Sequence, residues 1–180
     1  MEQGPIDLCD LSVLDVGAGN GMVGEELARL GVESIVGIDI IEEASEATER
    51  DRPDVYKEYH VVDLTDIPRS TRYELQKEDF NCLITVAALG FGDIPPLAFA
   101  EAFNMVSTPG WIAFNIKDKF MDKEDSSGFS RLIHRMDDSG ILDVRQCDLY
   151  RHRIAIDGTP LYYYAVVGIK EGDIPMEWVQ

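Results

Sequence analysis

Val13-Leu-Asp-Val-Gly-Ala-Gly-Asn-Gly21 closes a β-branched run with three glycines and leads straight into a run of helix formers. Read locally, it is the end of a strand, a tight turn and the start of a helix. Glycines lack a β-carbon, so a ligand can approach the backbone at the turn. The helix start presents unpaired N–H groups and a partial positive charge, a combination that suits a carboxylate or a phosphate. Good helix formers cover about 22–30, and Gly31 supplies the C-terminal stop.

Working outward, β-branched runs alternate with helical patterns, which predicts a parallel sheet with crossover helices. Ser34-Ile-Val-Gly-Ile-Asp39 reads as strand two, 42–50 as a helix, and Tyr59-His-Val-Val-Asp63 as strand three. A polar helix is expected at 70–77, a central apolar strand at 80–87, and a helix opened by Pro95-Pro96 through about 106. Strand five covers 111–116 and a further helix 129–138. Asp157-Gly158-Thr159-Pro160 lies between runs at 144–156 and 161–169, a hairpin pattern. The expected architecture is therefore α/β, a doubly wound sheet that finishes in an antiparallel hairpin.

The glycines have two registers. Gly17, Gly19 and Gly21 give G-x-G-x-G; Gly19, Gly21 and Gly24 give the dinucleotide fingerprint G-x-G-x-x-G. Alone, the glycines fit either S-adenosylmethionine (SAM) or a nicotinamide dinucleotide. Asp15 favours SAM: an acid near the end of a core strand needs a partner, and a ligand ammonium, directly or through water, supplies one that a nicotinamide dinucleotide lacks. Asp39 is placed to accept both ribose hydroxyls, with an N-terminal cap of the next helix as the plainer reading. Ile40 can pack on an adenine face. Asp63 can accept from an exocyclic amine while the Leu64 N–H serves a ring nitrogen; its plainer reading is a turn residue before Thr65-Asp66.

Together these residues resemble the class I SAM-dependent methyltransferase family, from about Leu11 to Ile169. The resemblance implies a Rossmann-like seven-stranded sheet in the order 3-2-1-4-5-7-6 with strand seven antiparallel. It implies a cofactor site formed by Asp15, Gly17, Gly19, Asn20, Gly21, Asp39, Ile40, Asp63, Leu64 and Ala87. Ala87 opens Ala87-Ala-Leu-Gly-Phe-Gly-Asp-Ile-Pro95, where family members place residues near the transferred methyl. The chain lacks the Asn/Asp-Pro-Pro-aromatic motif of amide methylases there, and a small-molecule acceptor is expected. Alternative readings are a non-catalytic SAM-binding or interaction module and a NAD-binding Rossmann protein.

The remaining signals are weaker. All 180 residues read as one domain. Only about ten precede the first strand, whereas many family members carry cap helices there. Candidates to cover the site are 91–96, 117–129 or a second subunit, which would make a homodimer. Phe91, Phe120 and Phe129 are candidate pocket aromatics; Asp93 and His134 are candidate bases, without a catalytic residue being assigned. A net charge of −18 disfavours nucleic acid and anionic lipid. No run approaches the roughly 20 apolar residues of a membrane span, and no signal-peptide pattern opens the chain; a cytoplasmic protein is expected. Cys9, Cys82 and Cys147 have no metal-ligand spacing and read as reduced thiols.

Overall fold

The computed structural model describes residues 7–90 and 92–179. Seven strands form one sheet in the order β3-β2-β1-β4-β5-β7-β6. They are β1 Ser12–Val16, β2 Ser34–Asp39, β3 Glu58–Val61, β4 Cys82–Leu89, β5 Gly110–Lys117, β6 Leu142–Ile154 and β7 Pro160–Lys170. Strands β1 to β5 pair in parallel, and β7 runs antiparallel to both β5 and β6. The helices are α1 Met22–Leu30, α2 Glu42–Asp51, α3 Arg69–Gln76, α4 Pro96–Met105 and α5 Phe129–Asp138. Both the expected strand order and the terminal hairpin are present.

Period-two alternation in β1 sends Leu14 and Val16 into the larger core and Val13 into a smaller one with Val32, Ile35 and Cys82. The larger core takes Leu75 from α3, Phe99 and Phe103 from α4, and Phe129, Leu132 and Met136 from α5. Phe99 meets Phe103, Phe114 and Phe129 at ring-centroid distances of 6.0, 5.6 and 6.0 Å. Burying each such ring stabilises the fold by about 1.5–3 kcal/mol. Phe129 is thus a core residue, and so is Phe120, 8% exposed. Phe120 packs where a β-carbon on Gly90 would lie only 2.3 Å from its ring. Neither lines the cavity at the carboxyl ends of the strands, and Phe91 lies outside the described residues.

Two of the strand boundaries that differ from expectation do so for identifiable local reasons. β3 stops at Val61 because Asp63 turns the chain, accepting the Thr65 N–H at 2.8 Å. β4 starts two residues late: Asn81 stitches the strand starts together, its side chain accepting the Ser12 N–H at 2.9 Å and its carbonyl the Trp111 N–H at 2.7 Å. No helix among the described residues is long and apolar enough to cross a membrane.

The C-terminal end of α4 is closed by a buried cation. Lys170, 1% exposed, donates to the carbonyls of Phe103 at 3.0 Å and Val106 at 2.6 Å, and pairs with Asp173 at 2.7 Å. Desolvation lowers its pKa while Asp173 opposes the shift. All three ammonium protons are used, and the charge faces the negative end of the helix. Lys170→Met leaves the Val106 carbonyl without its donor and the Phe103 carbonyl with the Val106 N–H alone, so it is expected to cost roughly 1–3 kcal/mol in urea unfolding. A loss below about 0.5 kcal/mol, within the range of an ordinary surface substitution, would mean that water serves those carbonyls equally well.

Candidate functional site

A cavity of about 450 Å³ opens at the carboxyl ends of β1 to β4, within the usual range of ligand pockets. The crossovers leave β1 in opposite directions, so a crevice forms between β1 and β4. Gly17, Asp39, Ile40, Asp63, Leu64 and Ala87 line it together, with Asp93 and Ile94 on the β4 side. Six of the ten residues singled out in the sequence thus meet on one surface. Asp15, Gly19, Asn20 and Gly21 do not line it.

Gly17, at φ 73°, carries the chain out of β1 and lets the wall close: a β-carbon there would lie 2.7 Å from that of Ala88. Gly19 is held on both sides of its peptide group. Its N–H donates to Asp39 Oδ2 at 2.9 Å, and its carbonyl accepts the hydroxyls of Tyr59 at 2.7 Å and Thr48 at 2.9 Å. Gly21, at φ 81°, is the N-cap of α1, and the exposed Asn20 accepts from Arg52 at its carbonyl.

Asp39 caps as well as lines. Its second oxygen accepts the Ile41 N–H at 3.1 Å, just before α2. An ionised carboxylate has about four acceptor sites, which leaves room for hydroxyl donors from a ligand. Ile40, 58% exposed, presents an apolar face beside it. Asp63 accepts the Thr65 N–H and hydroxyl at one oxygen, and those bonds hold its carboxyl below the usual range. Leu64 is buried against the core. Ala87 stands at φ 60°, a left-handed conformation that costs an alanine about 1–2 kcal/mol.

Asp15 lies behind the glycine turn with another partner, accepting the Tyr56 hydroxyl at 2.7 Å. It is 1% exposed, and its Oδ1 lacks a hydrogen-bond partner. Desolvation pushes its carboxyl up to about 7, against the Tyr56 hydrogen bond and with a further push from Asp39. His134 also falls outside the cavity lining; its Nδ1 meets the Ser130 carbonyl of its own helix at 2.6 Å. Among the described residues no group of three or more His, Cys, Asp or Glu is arranged to hold a metal ion.

Tyr56 and Tyr59 escaped the sequence reading, yet glycines mark their places. A β-carbon on Gly24 would fall 2.6 Å from the Tyr56 ring, and one on Gly37 2.9 Å from the Tyr59 ring. Gly37 sits inside a strand, where glycine signals close approach. Gly24, third in the dinucleotide register, is required by Tyr56 packing.

Comparison with known proteins fits this geometry. Residues 14–114, more than half of the chain, match the family model described as methyltransferase domain. A 108-residue stretch is 29% identical to the mitochondrial ubiquinone biosynthesis O-methyltransferase of Candida albicans, covering 57% of this chain and 31% of that relative. The chain thus spans about a third of that relative's length. Among solved structures, protein 1320 of Thermoplasma acidophilum superposes with a TM-score of 0.62 at 21% identity, covering 91% of this chain and 76% of that one. The N-methyltransferase NodS of Bradyrhizobium japonicum gives 0.63 at 13%, covering 90% and 86%. A SAM-dependent methyltransferase of Methanosarcina mazei gives 0.61 at 16%, covering 89% and 92%. These structural likenesses carry the fold. The chain belongs to the methyltransferase domain family.

Two expectations follow. In the folded state Asp15 keeps its proton to about pH 7, whereas an unfolded aspartate loses it near 4. The associated stability is present in full below about pH 4 and is lost as pH rises through about 7. Between pH 5 and 8, Asp15→Asn is therefore expected to gain on the parent by about 2–3 kcal/mol in urea unfolding; an offset that does not change with pH would contradict the buried, protonated carboxyl. Tyr59→Phe removes one of two donors from the Gly19 carbonyl and should weaken SAM binding about three- to tenfold by calorimetry. Unchanged affinity would show that the turn keeps its shape without Tyr59.

Proposed function

We propose that the protein is a SAM-dependent methyltransferase that alkylates a small-molecule acceptor, and that Gly17, Asp39, Ile40, Asp63, Leu64 and Ala87 hold its cofactor. The supporting observation is their convergence on one cavity at the strand carboxyl ends. The donor and acceptor set fits a nucleoside with a methionine tail. Asp39 retains free lone pairs for ribose hydroxyls, and Asp63 keeps one oxygen free of its Thr65 bonds. The exposed Ile40 supplies a surface for the adenine ring. Gly17 and Ala87 flank the end next to β4, where the acceptor meets the methyl-bearing end of the ligand. Asp15, Gly19, Asn20 and Gly21 act from behind by fixing the turn.

When bound, the cofactor supplies an electrophilic methyl on a sulfonium leaving group. The chain's contribution is then chiefly alignment and exclusion of water. Asp39 and Asp63 fix the nucleoside, so the reactive end has one direction to point. The wall at Gly92, Asp93, Ile94 and Pro95 bounds the acceptor's approach from the β4 side. A net charge of −18 repels nucleic-acid backbones and supports a small acceptor. The curated relative is an O-methyltransferase by name, which supports an oxygen nucleophile.

Asp39→Ala should weaken SAM by about 2–3 kcal/mol in calorimetry, since hydrogen bonds to a charged acceptor are lost. The parent should bind SAM and S-adenosylhomocysteine but not NAD, and should methylate a member of a panel of small hydroxyl, amine and carboxylate compounds. Equal SAM affinity in a folded Asp39→Ala variant would refute the assignment of the site. Methylation of RNA or protein with none of the panel would refute the small acceptor.

A further inference from the structure

Ala87 lines the cofactor cavity, yet the regular ladder cannot hold it. β4 and β5 are in register at Thr85↔Phe114 and again at Leu89↔Ile116, so three residues of β4 face one of β5 across the break. That one residue is Asn115. Its side chain takes over where the backbone ladder stops: Oδ1 accepts the Ala87 N–H at 2.6 Å. Asn115 is 5% exposed, so neither end of its amide has ready access to water. The other end donates from Nδ2 to the Tyr150 hydroxyl of β6 at 2.8 Å, and that hydroxyl lies 2.9 Å from His152 Nδ1.

The chain of bonds has a direction that begins at a group with no ambiguity. A backbone N–H can only donate, so the atom facing Ala87 is the amide oxygen and the atom facing Tyr150 is the NH₂. Tyr150 then accepts from Asn115, which leaves its own proton available to His152 Nδ1. We assign the bond in that direction, which makes the imidazole the neutral tautomer protonated at Nε2. Packing holds that end in place: the His152 ring lies over Tyr163 with centroids 4.4 Å apart, and Tyr163 is 1% exposed. Burial also favours the neutral ring, with Arg153 adding to the effect. The segment beyond Ala87 has an apolar anchor of its own, the Phe120 ring packed on Gly90.

We propose that Asn115 is a positioning residue for the methyl-facing wall of the cofactor cavity, and that Tyr150 and His152 fix the orientation of its amide. The inference rests on the reading of that cavity as the cofactor site. Asn115 fills the break in the β4–β5 ladder, holds Ala87 in its left-handed conformation and so sets the wall against which the methyl-bearing end of the ligand lies. The β6–β7 hairpin, far from the cofactor in sequence, thereby becomes part of the site's support.

The test uses S-adenosylhomocysteine as the probe in calorimetry, thermal melting measured alongside, and ¹⁵N NMR of the histidine rings. Asn115→Ala should weaken the probe about tenfold. Asn115→Asp keeps an acceptor for the Ala87 N–H and should restore most of that affinity. In the same variant the Tyr150 proton turns to the carboxylate, so the His152 Nδ1 signal should lose the signature of a hydrogen-bonded acceptor. Tyr150→Phe should weaken the probe about threefold. A merely structural role predicts lower melting temperatures with probe affinity unchanged in every folded variant, and that result overturns the inference. So does a parent protein whose His152 is protonated at Nδ1 at neutral pH. A parent that fails to bind the probe at all would instead overturn the cofactor reading on which the inference stands.

Discussion

The Gly19 peptide group is the constraint on which the site depends. Its N–H reaches the Asp39 carboxylate at the end of β2, and its carbonyl receives hydroxyls from α2 and β3. One turn residue of β1 is thereby tied to the next two strands and to the helix between them. Each bond is worth only about 1 kcal/mol net, or somewhat more at the charged acceptor. Their effect is geometric: the left-handed glycines can follow many paths, and these bonds select one. Asp39 is at once a strut for the turn and a lining residue of the cavity, so in the proposed site ligand binding and turn geometry share a carboxylate.

Much of the fold was legible because its signals are local. Period-two runs, glycine stops and the Asp157-Gly158 turn mark their own boundaries, and the site residues at strand ends follow from them. Asp15 is the instructive departure. Its burial was legible, but its hydrogen-bond partner was not, because Tyr56 lies 41 residues away and touches it only after β2 and β3 have paired. Asn115 was silent for the same reason. An asparagine in a β run reads as an ordinary strand residue until the break in the neighbouring ladder exposes an N–H for it to accept. Phe120 shows the converse. It was legible as an aromatic in a loop beside the site, but Gly90, just past the end of β4, opens a slot for it in the core.

A common device runs through the molecule. Where regular hydrogen bonding stops, a side chain supplies the missing partner: Asn81 at the strand starts, Asn115 in the β4–β5 break, Lys170 at the end of α4, Asp125 at the start of α5. Buried backbone groups left unpaired are costly, and each substitute lies where a ladder or helix starts, ends or is interrupted. The left-handed Ala87 survives because its surroundings over-determine it, as strain at functional sites requires.

A crystal structure of the complex with S-adenosylhomocysteine tests the central claim most directly. The account predicts the ribose hydroxyls on Asp39, the adenine over Ile40 with its amine towards Asp63, and the sulfur end beside Gly17 and Ala87. A nucleoside bound away from Asp39, or a ligand outside the cavity bounded by β1 to β4, would contradict it.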